Sequence, residues 1–117
     1  MPKKAITIVK SSQANESTIL ASLYNNLAFI YRKQNKYSES EKLYIKSIQL
    51  GEKLIGKNNI DMAYRYYGFG LLRERQNRNV EALKLLTKGA DIFKNKGLIN
   101  HPMYVKLKKD IVRLSKK

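Results

Sequence analysis

What most constrains this chain is an echo. "QNKYSESEKLY", from Gln34 to Tyr44, returns 42 residues later as "QNRNVEALKLL", from Gln76 to Leu86. Gln34 pairs with Gln76, Asn35 with Asn77, Glu39 with Glu81, Lys42 with Lys84 and Leu43 with Leu85. When residues 21–62 are set against 63–104, other positions keep their character: Leu27 with Phe69, Ala28 with Gly70, Ser40 with Ala82, Leu50 with Ile92. The register extends outward, because "KAITI" from Lys4, "KSIQL" from Lys46 and "KGADI" from Lys88 also stand 42 apart. A chain of 117 residues that repeats so long a unit builds one motif twice and stacks the copies, since a lone unit cannot bury its own apolar face.

Each unit reads as two helices. Leu20, Leu23, Tyr24, Leu27, Ile30 and Tyr31 have helical spacing, and a polar break, "KQNK", follows. Leu43, Tyr44, Ile48, Leu50 and Leu54 make a second stripe, ended by Gly56 and the loop Lys57 to Asn59. The second unit runs Tyr66, Phe69 and Leu72, then "RQNRN", then Val80, Leu83, Leu86, Ile92 and Phe93, and stops at Gly97. Asn100 is the expected cap of a last helix with Pro102 in its first turn, carrying Val105, Ile111, Val112 and Leu114. The small residues Ala28, Gly70, Ser40, Ala82, Ser47 and Gly89 predict tight crossings within each pair. The expectation is an all-α, right-handed stack of antiparallel helix pairs with about five helices. Its parts are the tail of a partial repeat and a loop over 4–20, repeats at 21–62 and 63–104, and a capping helix over 105–117. Ala5, Ile6 and Ile8 fall on the partial repeat, with nothing before them to pack against.

Composition narrows the function. There is no cysteine and a single histidine, His101, which excludes disulfides and Cys/His zinc sites and points to a reducing, cytoplasmic setting. No apolar run approaches the ~20 residues that span a bilayer. His101 beside Pro102 reads as a helix-start residue rather than a base, and Glu39 and Glu41 read as surface charge. No phosphate-binding glycine loop, metal-spaced cluster or nucleophile–base pair occurs, so no catalysis, cofactor or metal is expected. The net charge of +15 attracts anionic partners.

The order Tyr24, Leu27, Ala28, Tyr31, Ser40, Tyr44, Ser47 resembles the tetratricopeptide repeat, whose usual period is about 34 residues. The longer period here resembles the repeats of kinesin light chains and their bacterial relatives. "LYNNLAFIYRKQNKYSESEKLYIKSIQLGEKLIG" is similar to that family over one whole unit, and "NHPMY" resembles the start of the next. The second unit departs: Arg73 stands in place of Tyr31, Asn79 in place of Tyr37, and "YGFG" in place of "NNLA". The resemblance implies a stack that binds proteins or peptides in its concave groove, lined by the first helix of each pair.

Carried over position by position, the groove residues are Ser22, Asn25, Phe29, Arg32 and Lys33 from the first repeat. The second gives Tyr64, Tyr67, Leu71, Glu74 and Arg75, and the last helix gives Lys106, Lys109, Arg113 and Lys116. Spacing of three to four residues independently places each set on one helix face. Such a face complements a peptide with carboxylates and an apolar anchor. The cations would hold carboxylates, Phe29, Tyr64 and Tyr67 would supply rigid apolar area, and Asn25 would clamp a backbone amide, as the resemblance implies. Two other readings stand beside it: RNA binding through cations and stacking tyrosines, and service as an assembly unit of a larger repeat protein. Two units and two halves lie near the minimum for a stable stack, which predicts a marginal monomer or a homodimer covering an open end.

Overall fold

The computed structural model describes the backbone of residues 3–117, with side chains from residue 17 onward. It holds α1 (Lys3–Lys33), α2 (Tyr37–Ile55), α3 (Ile60–Arg75), α4 (Asn79–Asn95) and α5 (Pro102–Ser115), with no strand among the described residues. α1 pairs with α2 and α3 with α4, α3 lies against α2, and α5 lies against α4. The all-α stack of helix pairs expected from the repeat is what forms.

The echo marks the turns. After α1, Asn35 takes φ 63° and the Lys36 N–H bonds back to the Tyr31 carbonyl at 2.9 Å. After α3, Asn77 takes φ 62° and the Arg78 N–H reaches the Arg73 carbonyl at 2.8 Å. Both asparagines therefore sit in the left-handed region that ends a helix, which Asn tolerates better than most residues that carry a side chain. α4 closes the same way on Gly97, at φ 72°, with Leu98 N–H on the Phe93 carbonyl at 2.9 Å.

Two boundaries differ from expectation. α1 is continuous from Lys3, with no loop before the first repeat; "KSSQANES" contains neither Gly nor Pro, and nothing in it stops a helix. The packing expected of Ala5, Ile6 and Ile8 lies outside the described residues. The cap of α5 is His101, not Asn100. His101 precedes Pro102, which holds it extended at φ −64° and ψ 136°, and its Nδ1 accepts from the Met103 N–H at 3.1 Å.

Small residues set the crossings. Ser40 and Ser47 are fully buried on α2 and donate to the Ala28 and Ala21 carbonyls of α1 at 2.6 and 2.7 Å. A side chain at Gly70 would meet Leu86 of α4 at 3.0 Å, and one at Gly89 would meet the Ala63 carbonyl at 3.3 Å. One core joins Ala28, Tyr44, Phe69 and Leu72, with the Tyr44 and Phe69 rings stacked at 5.8 Å. A larger one gathers Met62, Tyr66, Leu86, Phe93, Leu107 and Leu114 from α3, α4 and α5.

The apolar stripe of α1 is not core. Leu20, Leu23, Leu27 and Ile30 are 41 to 50% exposed, whereas their counterparts Met62, Phe69 and Leu72 on α3 are buried. The difference is positional: α2 covers the face of α3, and no described element covers that of α1. Arg65, the counterpart of Leu23, is buried in its own polar pocket. Val105 and Val112 of α5 are likewise exposed, and Leu107 and Leu114 carry that helix's packing. Glu41 is more than surface charge. It accepts from Arg73, which also pairs with Glu81 at 3.1 Å and lies over the Phe69 ring at 4.6 Å. The arginine that stands where the first repeat has Tyr31 thus ties α2, α3 and α4 together by ion pairs.

Candidate peptide-binding cleft

Because α1, α3 and α5 are the first helices of successive pairs, side chains 42 residues apart recur along the face they share. A cleft of about 550 Å³ opens there, lined by Arg32, Lys33, Tyr67, Leu71, Glu74, Arg75, Asn77, Asp110, Arg113 and Lys117. Seven of these come from the residues read from sequence as groove-lining. Five cations and two carboxylates face the same space, so its field is positive.

Arg32 is buried to 7% exposure and its Nε donates to the Tyr44 hydroxyl at 3.3 Å. Arg32 and Lys33 lie over the Phe29 ring at 5.2 and 5.6 Å, and Phe29 itself is 46% exposed. Lys106 lies over the Tyr67 ring at 5.3 Å. Tyr67 is half-buried; burial and a hydrogen bond to Asp110 push its hydroxyl well above the usual phenol range. That hydroxyl stays protonated and able to donate. Arg113 is held by Glu74, at 2.9 Å from Nη2, and by Asp110 at 3.2 Å, while Lys117 reaches Glu74 at 2.9 Å.

A second, smaller recess of about 190 Å³ adjoins along α1 and α3, lined by Ser22, Asn25, Asn26, Asp61, Tyr64 and Arg65. Tyr64 is 41% exposed there. The Asn25 Oδ1 is buried without a hydrogen-bond partner among the described residues. Arg65, which the sequence reading did not single out, is 5% exposed. Its Nε donates to Ser47 at 3.0 Å, its Nη1 to the Asp61 carbonyl at 3.0 Å, and its Nη2 reaches Ser22 at 3.4 Å. Burial lowers its pKa, partly offset by Asp61. The signal for it was available: an arginine stands where the first repeat carries Leu23 in its apolar stripe.

Four expected members, Phe29, Lys106, Lys109 and Lys116, are not among the residues lining the cleft or the recess. Lys109 borders a shelf on α5 with Ile99, Tyr104, Val105, Lys108 and Val112 instead of the cleft, because Lys106, Asp110, Arg113 and Lys117 take the turn-by-turn positions facing α3. Lys116 is exposed and is not among the residues lining the cleft. Asp110 and Lys117 join the cleft although the sequence reading did not include them; an acid within a run of lysines was the trace that Asp110 left.

No group of acidic or histidine side chains that could hold a metal occurs among the described residues, and no described helix is long and apolar enough to cross a membrane. Comparison with curated proteins finds no match. The tetratricopeptide repeat family model matches residues 19–95. Such repeats generally serve as non-catalytic modules that mediate contacts between proteins. With paired helices, small residues at their crossings and a lined face built from first helices, the chain belongs to the tetratricopeptide repeat family.

Proposed function

We propose that the chain is a non-catalytic scaffold that receives an acidic peptide or protein segment, carrying an apolar anchor, in the cleft between α1, α3 and α5. The observation that carries this reading is the placement of Arg32, Lys33 and Arg75 around one opening with no carboxylate partner among the described residues. Cations left without a partner in a recess favour an anion there, and charge-assisted hydrogen bonds to carboxylates are the strong ones. Leu71 and Tyr67 supply apolar area in the cleft, Phe29 adds exposed ring area under Arg32 and Lys33, and Tyr64 with Asn25 lines the smaller recess. Asn25 borders the recess beside Tyr64, and the family resemblance supports its use as a clamp on a peptide backbone. Lys106 contributes through Tyr67, and Arg113 through its partners. Lys109 remains a candidate only for a ligand long enough to reach the shelf.

The finer assignments rest on the sequence. The period of 42 supports repeats of the kinesin-light-chain-like type, bounded at 21–62 and 63–104. The lack of cysteine supports a cytoplasmic setting. The exposed α1 stripe supports a homodimer, or a place within a larger repeat assembly. RNA binding is the competing reading, supported by the net charge of +15.

Fluorescence anisotropy separates the two. A labelled peptide rich in glutamate with one phenylalanine should bind, and Arg75→Glu should weaken it at least about tenfold, a loss of about 1.4 kcal/mol. Affinity for a single-stranded RNA oligonucleotide that exceeds affinity for the peptide and collapses by orders of magnitude on raising salt would overturn the proposal.

A further inference from the structure

The repeat register exposes an exception inside the cleft. Positions 33, 75 and 117 read Lys, Arg, Lys, a cation at each step. Positions 32, 74 and 116 read Arg, Glu, Lys. A carboxylate on α3 therefore stands where the register has cations on α1 and α5, and Glu74 lines the cleft although Lys116 does not. Glu74 does not sit idle there. Its side chain is only 16% exposed; both its oxygens meet the Arg113 guanidinium, and Lys117 Nζ lies 2.9 Å from Oε2. Asp110 takes a further hydrogen bond from Arg113 at 3.2 Å. The paired geometry on Arg113 is the one a ligand carboxylate would adopt.

We propose that Glu74 is a resident carboxylate that occupies the α5 half of the cleft and so decides which acidic segments the protein accepts. The inference rests on the acidic-ligand reading above and deepens it. The cleft then has two unequal halves. Lys33 and Arg75 are exposed and, with the largely buried Arg32 behind them, have no carboxylate partner among the described residues; they take the first carboxylate of a ligand. Arg113 and Lys117 are 44 and 49% exposed but already hold Glu74, so a ligand carboxylate gains the paired bonds of Arg113 only by displacing it, which a weakly anionic segment cannot do and a segment with several closely spaced carboxylates can. The device is selective because exchanging one carboxylate for another at Arg113 brings little, whereas placing a ligand carboxylate beside an undisplaced Glu74 is repulsive. It also keeps the protein from holding every stray carboxylate that its charge attracts.

Hexaglutamate with a fluorescent label is the probe, measured by anisotropy at constant low salt. Glu74→Gln should tighten binding roughly three- to tenfold, the scale of one added charge-assisted hydrogen bond to the ligand. Glu39→Gln, which removes the same charge from an exposed position on α2, controls for net charge and should change affinity less than about twofold. Should Glu74→Gln lose its cooperative melting, Glu74→Ser, which also removes the resident carboxylate, decides in the same sense and should tighten binding. A well-folded Glu74→Gln or Glu74→Ser chain no tighter than Glu39→Gln, while Arg75→Gln still weakens binding, overturns the inference and leaves the acidic-cleft reading intact. Failure of every chain to bind hexaglutamate overturns the inference, and failure of the parent chain to bind the phenylalanine-containing glutamate peptide as well overturns both.

Discussion

The hydroxyl of Ser40 donates to the backbone carbonyl of Ala28 at 2.6 Å, and both residues are fully buried at the crossing of α2 and α1. The carbonyl belongs to a helix backbone, so the bond ties α2 directly to the backbone of α1. Ser40→Ala leaves the space filled and removes the bond. It should cost about 1 kcal/mol, read as a lower urea midpoint with an unchanged slope. Ser40→Leu has no room at the crossing and should cost about 3 kcal/mol or abolish cooperative unfolding.

The two left-handed asparagines should behave alike. Asn35→Ala and Asn77→Ala each put a methyl group into a conformation that costs an ordinary residue about 1–2 kcal/mol. Asn35→Gly and Asn77→Gly should stay within a few tenths of a kcal/mol of the parent. Thermal melts of the four variants check this, and an Ala variant as stable as its Gly counterpart would show that the turn is not held as described.

Gly68 and Gly70 look equivalent in sequence but should respond differently. A Cβ at Gly68 would lie 2.7 Å from the Tyr44 hydroxyl and 2.8 Å from its ring edge, and that ring is buried and stacked on Phe69. A Cβ at Gly70 would meet the rotatable end of Leu86, with the Ala82 carbonyl no nearer than 3.4 Å. Replacing Gly by Ala within a helix adds about 1 kcal/mol of propensity. Gly70→Ala should therefore be near neutral, and Gly68→Ala should destabilise by about 1–2 kcal/mol after that benefit is set against overpacking. Chemical denaturation of the pair measures the contrast.

The ion-pair link from α5 to Glu74 of α3 should weaken in acid. Hydrogen bonds from Arg113, with Lys117 adding to them against the opposing effect of burial, hold the Glu74 carboxyl down to about 2 from an ordinary 4.5. A carboxylate with a depressed folded pKa contributes stability that is complete above its unfolded value. That contribution is lost as pH falls toward the folded value. Melting temperature should drop as pH falls from about 4.5 toward 2, and Glu74→Gln should flatten this part of the curve. A variant whose acid profile superimposes on the parent's would rule Glu74 out as the group responsible.

Local patterning made the helix pairs, the turns and the small crossing residues legible from the sequence, because a repeat states each rule twice. Asn35 and Asn77, or Ala28 and Gly70, identify their roles by recurring. What escaped was whatever depends on neighbours in space. Leu20 and Met62 share a register, yet one is exposed and the other buried, because only α3 has a second helix laid across its face. Arg65 is written as a cation, and its burial depends on Ser47 and Ser22 from two other helices. In the cleft, the family resemblance carried over position by position pointed to Lys33, Tyr67, Leu71, Arg75 and Arg113, but the choice between Lys109 and Asp110 on α5 is one of rotation by a single residue. That angle is fixed by the burial of Leu107 and Leu114, which only the packed structure reveals.

Amide chemical-shift mapping addresses the central claim most directly. Titrating a glutamate-rich, phenylalanine-containing peptide into the isotope-labelled protein should move the signals of Asn25, Lys33, Tyr64, Tyr67, Leu71 and Arg75 together, with one shared dissociation constant. The outer faces of α2 and α4, around Lys46 and Lys84, should stay unmoved. Shifts confined to those outer faces, or to the shelf around Val105 and Val112, would contradict a cleft formed by the first helix of each pair.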